Sequence, residues 1–375
     1  MIHISLPATG EEEWQATREP LMSGWVTQGP KVAAFEKAFA ERHQVPHALA
    51  TTSCTTGLHL ILAGMGIGPG DEVIVPAFTW VATANVVLYC GATPVLADVD
   101  RDTYNIDPAD LARKVTERTR AVIVVHLFGL CADMDAIRAV LPAGVKIIED
   151  AACAAGAAYK GAPAGTLGDA AAFSFHPRKS VTTGEGGMVT TTDADLAARM
   201  DMLRNHGASV SEEQRHKGPR PYLLPEFNLL GFNYRMTDLQ GAVGLVQLGK
   251  LDRFIAERQK LAERYRDGLQ RLGWLRMPEF GNGEHAWQAF VTYVDPDSAP
   301  MPRNDIMEKL QQAGIATRPG THAVHMLGLY RDRLGCSDDD FPGARDCDSN
   351  TMAIPLHNRM TVEDVDYVID TIRSL

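Results

Sequence analysis

Val145-Lys-Ile-Ile-Glu-Asp150-Ala-Ala-Cys153 places an aliphatic run directly before two carboxylates and three small residues. So short an apolar run, cut off by charge, predicts a strand over 145–149 that is covered on both faces, with Asp150 at its exit. Working outward, five more segments read the same way: Glu72-Val-Ile-Val-Pro76, Thr93-Pro-Val-Leu-Ala-Asp98, Ala121-Val-Ile-Val-Val125, Ala170-Ala-Ala-Phe-Ser-Phe175 and Gly187-Met-Val-Thr-Thr191. Helical patterns alternate with them. One begins at Pro30 and turns Val32, Phe35 and Phe39 inward; another runs from Thr55 to Ala63. Near-continuous apolar strands alternating with helices predict an α/β fold, an open sheet with helices on both faces. Ligands in such sheets bind beyond the carboxyl ends of the strands, and the unusual polar residues here, Asp150 and Ser174, sit at those ends.

The texture changes after residue 248. A charged helix is expected over 250–272, a strand over 287–294, and a helix from Asn304 to Gly314. Thr361 and Asp364 form a capping-box pattern ahead of a helix whose inner face is Val365, Val368, Ile369 and Ile372. The organisation expected is a large unit over 1–248 and a smaller α/β unit over 249–375. Two units suit a chain of 375 residues.

Composition narrows the function. A net charge of −11 argues against nucleic acid, whose phosphates need a basic face. No stretch approaches the roughly 20 apolar residues of a membrane span, and the N-terminus lacks a signal-peptide pattern. The cysteines Cys54, Cys90, Cys131, Cys153, Cys336 and Cys347 form no Cys-x-x-Cys pair and read as reduced thiols, so a cytoplasmic location is expected.

Four segments carry candidate chemistry. In Phe173-Ser-Phe-His-Pro-Arg-Lys179-Ser-Val-Thr-Thr-Gly-Glu-Gly-Gly187, a lysine follows a strand exit and precedes a glycine-rich turn. Desolvated or held near another cation, such an amine attacks carbonyls; otherwise it is a surface lysine. Asp150 needs a donor or a cation; a pyridinium N–H would serve, and so would service as a helix N-cap. At Ser53-Cys-Thr55, small residues meet the start of a helix, where backbone N–H groups suit a phosphate, although Ser53 and Thr55 also suit simple capping. Trp80, just past the strand ending at Pro76, could stack on a flat ring or join the core.

In this order the segments resemble the DegT–StrS family of sugar aminotransferases, within the fold-type-I enzymes that use pyridoxal 5'-phosphate (PLP). The resemblance runs from Gly24-Trp-Val-Thr-Gln-Gly-Pro-Lys-Val32 through Pro76-Ala-Phe-Thr-Trp80, His126-Leu-Phe-Gly129 and Glu149-Asp-Ala-Ala152. It continues through Thr183-Gly-Glu-Gly-Gly187 and Gly231-Phe-Asn-Tyr-Arg-Met236 to Thr317-Arg-Pro319 and Ile354-Pro-Leu356. It implies a mainly parallel seven-stranded sheet flanked by helices, with a smaller C-terminal α/β domain. It also implies roles. Lys179 is the Schiff-base lysine, Asp150 the pyridinium partner and Trp80 the stacking aromatic. Ser174, Cys54 and Thr55 bind phosphate, and Asn233 reaches the phosphate of a neighbouring subunit in a homodimer with shared sites. Glu185, His322 and Arg318 lie towards the substrates, L-glutamate and a keto-sugar nucleotide, with a 4-keto hexose as in perosamine formation favoured. Two positions depart from the family: Cys54 stands where glycine is common, and Cys153 where glutamine or histidine contacts the cofactor's phenolic oxygen.

Rival readings carry identifiable signals. A sugar dehydratase of the same fold replaces the lysine by histidine, against Lys179. A NAD-dependent epimerase or dehydrogenase needs G-x-G-x-x-G after its first strand; Gly64-Met-Gly-Ile-Gly-Pro-Gly70 instead precedes a strand and reads as a turn. The pair His322 and His325 reads as loop or substrate-contact histidines, so no metal is expected.

Overall fold

A computed structural model describes residues 1–210, 218, 220, 222–279 and 285–375. Its centre is a seven-stranded sheet in the order His47–Thr51, Gly187–Thr191, Ala170–Ser174, Lys146–Asp150, Thr119–Val125, Glu72–Pro76, Thr93–Ala97. Gly187–Thr191 pairs antiparallel with both neighbours, and every other pairing is parallel. The mainly parallel sheet expected from the sequence is therefore present. All six predicted strands occur; His47–Thr51 is an additional one.

Alternation along the strands divides the side chains between two layers. Ala170 and Ala172 face the helices Cys54–Gly64 and Ala194–Arg204, together with Leu58, Ile61, Met200 and Leu203. Phe173 faces the other way, against Val32, Phe35 and Phe39 of the helix Pro30–His43. That helix starts with proline, and its first backbone N–H groups are capped from a distance: Asp238 accepts from Lys31 and Val32, at 3.1 and 2.9 Å.

The charged helix begins earlier than expected. It runs over Asp238–Leu269, 32 residues, with Thr237 and Gln240 forming a capping box. Its early turns contain Gly241 and Gly244, which lower helical propensity and hide the start from sequence. Both glycines have a packing reason. A Cβ on Gly241 would lie 2.7 Å from the Val32 nitrogen, and one on Gly244 would lie 2.6 Å from the Phe35 ring. Residue 248 consequently falls inside this helix. Its later turns supply Ala262, Tyr265 and Leu269 to a separate core with Phe290, Leu310, Met352 and Val365. The antiparallel strands Leu275–Arg276, Phe290–Val294 and Thr351–Ile354 run through this smaller unit. The predicted strand over 287–294 starts only at Phe290. The last helix, Val362–Arg373, has the expected capping box and buries Val365, Val368, Ile369 and Ile372. Among the described residues, no helix is long and apolar enough to cross a membrane.

Candidate active site

A cavity of about 400 Å³ opens at the carboxyl ends of the parallel strands. It is lined by Cys54, Thr55, Trp80, Asp150, Cys153, Ser174, Lys179, Glu185 and Arg318, among others. Nine of the eleven residues singled out from sequence therefore share one wall.

Asp150 ends its strand and is 6% exposed. Its Oδ2 accepts from the Thr83 hydroxyl at 2.8 Å, and its Oδ1 accepts from the Ala152 N–H at 3.2 Å. The Cys54 thiol approaches Oδ1 at 3.7 Å and donates to the Ala172 carbonyl at 3.4 Å. Burial first, then the neighbouring carboxylate, pushes that thiol well above its ordinary range, so it stays protonated beside Asp150. No ion pair to Asp150 occurs among the described residues. A buried carboxylate with neutral donors only is ready for a cation from outside the chain.

The strand end is held by a second buried carboxylate. Glu149 accepts from the N–H groups of Gly165, Leu167 and Gly168 at 2.7, 2.7 and 2.8 Å, and from His126 Nε2 at 3.0 Å. His126 Nδ1 accepts from the Ala132 N–H, which fixes the proton on Nε2. The backbone N–H of His126 in turn donates to the Asp150 carbonyl at 3.1 Å.

Elsewhere on the cavity lining, Ser53 caps the helix Cys54–Gly64, its hydroxyl accepting from the Thr56 N–H. Ser53, not Thr55, is thus the N-cap. The N–H groups of Cys54 and Thr55, the first two of the helix, have no hydrogen-bond partner among the described residues, and Ser174 lies on the same wall. Gly187 permits this approach: a Cβ there would sit 2.5 Å from the Ser53 carbonyl carbon and 2.7 Å from the Cys54 nitrogen. Free N–H groups at a helix start suit an anion.

Lys179 follows the exit of Ala170–Ser174, and its Nζ lies 3.2 Å from Cys153 Sγ. Trp80 is 59% exposed, and its ring leans on His322, with centroids 5.7 Å apart. His322 does not line the cavity; its backbone pairs with Thr79, so it backs the tryptophan. Asn233 also lies off this wall, exposed and bridged to Asn205.

A family model described as "DegT/DnrJ/EryC1/StrS aminotransferase family" matches residues 7–373. The chain belongs to this family. Among relatives of this DegT-family chain is the spore coat polysaccharide biosynthesis protein SpsC of Bacillus subtilis, 42% identical over 374 residues, covering 99% of this chain and 96% of that protein. GDP-perosamine synthase of Caulobacter vibrioides is 41% identical over 372 residues, covering 98% and 96%. The solved structure of Spr1654 from Streptococcus pneumoniae in its PLP form superposes with a TM-score of 0.90 at 30% identity, covering 100% of this chain and 98% of that one.

Sequence reading gave no role to several residues of this DegT-family site. Thr83 is one; its signal was the one-turn spacing from Thr79, whose hydroxyl meets its own at 3.0 Å. Gln288 lines the cavity and donates to the Arg178 carbonyl at 2.8 Å. His176 is another. Burial lowers its basicity most, Glu185 opposes that, and Lys179, Arg178 and Arg318 add to it.

Proposed function

We propose that the protein is a PLP-dependent sugar aminotransferase that moves an amino group from L-glutamate to a keto-sugar nucleotide. The observation that carries this reading is the meeting of three groups in one cavity: an amine at Lys179, a buried carboxylate at Asp150, and helix-start N–H groups at Cys54 and Thr55 that are unpaired among the described residues. A flat cationic heterocycle with a phosphate arm satisfies all three.

When bound, PLP supplies a carbonyl that exchanges with amines and a ring that accepts an electron pair. The chain supplies position and charge. The Cys54 and Thr55 N–H groups and the Ser174 hydroxyl hold the phosphate; the helix dipole adds to this. Asp150 would hold a proton on the cofactor's ring nitrogen, with Thr83 orienting the carboxylate, and Trp80 would offer the ring a stacking face. The Lys179 amine would anchor the cofactor at rest and, once free, would carry the proton lost from the donor's α-carbon. Cys153 stands beside that amine, where a thiol is a weaker hydrogen-bonding partner than an amide or imidazole. The two substrates use the cavity in turn, a ping-pong order. The similarity to GDP-perosamine synthase favours a 4-keto hexose acceptor.

The reading includes a homodimer in which Asn233 reaches the partner's phosphate. The exposure of Asn233, and of Leu224, Phe227 and Leu230 in the chain before it, supports this. The division into a PLP-binding unit over 1–248 and a small unit over 249–375 is likewise part of the reading, with the long helix shared between them.

The test is a panel of keto-sugar nucleotides added to enzyme first converted by L-glutamate to its amino form. Return of the lysine-bound absorbance with a 4-keto sugar is the expected result. An enzyme whose spectrum never responds to any amino donor would refute the reading. Asn233→Ala is expected to weaken PLP retention in the dimer, measured by cofactor loss on dialysis.

A further inference from the structure

We infer that Gln288 is the positioning residue for the Lys179 amine, holding the peptide ahead of the lysine from the smaller unit; the inference rests on the aminotransferase reading above. Both residues line the cavity. A lysine amine rides on a long flexible stem, so its place is set only as well as the backbone beneath it is set. The Lys179 N–H donates to the His176 carbonyl at 2.8 Å, and the Arg178 N–H donates to His176 Nδ1 at 3.2 Å. Both bonds are internal to the turn that carries the lysine.

Glutamine side chains tie that turn down from outside. Gln247 Oε1 accepts from the Thr182 N–H at 3.2 Å, and Gln240 Nε2 donates to the Glu185 carbonyl at 2.7 Å. Both glutamines belong to the helix Asp238–Leu269, and both ties fall after the lysine in the chain. Ahead of it, Gln288 Nε2 donates to the Arg178 carbonyl at 2.8 Å. Among the described residues, no other hydrogen bond reaches the backbone of Arg178, Lys179 or Ser180 from outside the turn.

Backbone strain aims Gln288. Trp287, just before it, has φ +47°, a left-handed conformation that a large side chain rarely adopts. Its ring is fully buried and stacks on His285 with centroids 3.9 Å apart, its N–H donates to His285 Nδ1 at 2.8 Å, and its indole N–H donates to Gln259. Facing it, Phe128 is left-handed too, with φ +59°, and its carbonyl accepts from the N–H groups of Gln288 and Ala289 at 3.1 and 3.3 Å. Gly129 lets the two turns touch: a Cβ there would lie 3.1 Å from the nitrogens of Trp287 and Gln288. Such a conformation persists only where its surroundings over-determine it, and it gathers at working sites. Here its result is one amide, 7% exposed, set against the Arg178 carbonyl.

The tie runs on into the smaller unit. The buried Arg258 donates to the carbonyls of Trp287 and Gln288 at 3.0 and 3.1 Å and to Asn358 Oδ1 at 2.8 Å. The joint also touches the lysine's other neighbour. A Cβ on Gly129 would lie 3.2 Å from the Cys153 carbonyl oxygen, and Cys153 Sγ is 3.2 Å from Lys179 Nζ. One packed junction therefore meets both the peptide ahead of the amine and the residue the amine rests on. Losing the Gln288 donor frees the first of these and leaves every group that faces the cofactor in place.

The test uses wild type, Gln288→Met and Gln288→Asn. Methionine keeps the volume and removes the donor. Asparagine keeps an amide that falls short of the carbonyl, and it serves should the methionine variant fail to fold. Cofactor-free protein is mixed with PLP and the lysine-bound absorbance is followed in time. Its appearance should slow about 10-fold in both variants, the size of one lost hydrogen bond. With L-glutamate, the saturating rate of conversion to the amino form should fall about 10-fold, while the half-saturating concentration changes by less than about 3-fold. Hydrogen exchange of the cofactor-free protein should quicken at the Arg178 and Lys179 amides. Variants that melt at lower temperature yet gain the lysine-bound absorbance at the wild-type rate would overturn the assignment, leaving Gln288 a structural role only. So would a change confined to the half-saturating concentration of L-glutamate. Wild-type protein that never gains the absorbance would bring down the aminotransferase reading itself, and this assignment with it.

Discussion

The Thr83 hydroxyl donates to Oδ2 of Asp150 across 2.8 Å, in a site where both side chains are withdrawn from water. The bond crosses from a helix to a strand end 67 residues later in sequence. It orients the carboxylate without neutralising it. Thr83→Val keeps the shape and removes the donor. A buried hydrogen bond to a charged group is worth about 1.5–3 kcal/mol. We therefore expect kcat to fall roughly 10- to 100-fold, with a smaller loss of PLP affinity. Asp150→Asn should cost more, because it removes the charge itself. Steady-state kinetics and equilibrium dialysis of the cofactor check both.

Lys179 is the amine on the cavity wall closest to Cys153, with its Nζ 3.2 Å from the thiol. Lys179→Ala should abolish turnover and the visible absorbance of lysine-bound PLP. Phosphate-site binding should persist, because its proposed donors, the Cys54 and Thr55 N–H groups and the Ser174 hydroxyl, are untouched by the substitution. A spectrum of the reconstituted variant, read beside its bound-phosphate content, distinguishes the two. Normal turnover by Lys179→Ala would refute the role.

Cys54 separates fold from chemistry. Its thiol packs between Asp150 and the Ala172 carbonyl, while its N–H, at the helix start, has no partner among the described residues. Cys54→Gly leaves that N–H in place. PLP affinity should change by less than about 3-fold. Stability should fall by about 1–2 kcal/mol, from the small cavity left and the flexibility gained. Urea unfolding gives the second quantity and cofactor titration the first.

Acid should destabilise the protein over a defined window. Burial pushes His43 down to about 4, His285 to about 3 and His357 to about 4. The ordinary histidine value is about 6.5. Below that value the unfolded chain binds protons that the folded chain refuses, so stability falls as pH drops from about 6.5 towards 4 and is flat above. His43 stacks on Phe39 with ring centroids 3.9 Å apart, and its Nδ1 bonds the Phe39 carbonyl at 3.0 Å. His43→Phe should lessen the slope in that window, at the cost of one hydrogen bond. Thermal midpoints measured across pH 4–8 check the sign; a midpoint that rises on acidification would contradict it.

Much of this was legible in the sequence, for reasons that can be given residue by residue. Val365, Val368, Ile369 and Ile372 repeat at the helical period, so their burial follows from pattern alone. Asp150 and Lys179 stand at strand exits, and the topology of an open sheet brings such exits together. The strand His47–Thr51 was not read, because it is short and built largely of small residues; it exists through its pairing with Gly187–Thr191. The start at Asp238 was obscured by glycines whose purpose is contact with a helix some 200 residues earlier. Thr83 was harder still. It acquires its role from a distant carboxylate, which only three dimensions reveal.

Gly187 carries a last consequence. Its missing methyl lets the start of an inner strand touch the turn between Ser53 and Cys54, so the width of the proposed anion seat is set by an atom that is not there. Alanine at 187 would wedge the seat open while leaving every reactive group intact. Such a variant offers a way to evict the cofactor by geometry alone, and so to ask how much of the folded scaffold depends on its prosthetic group.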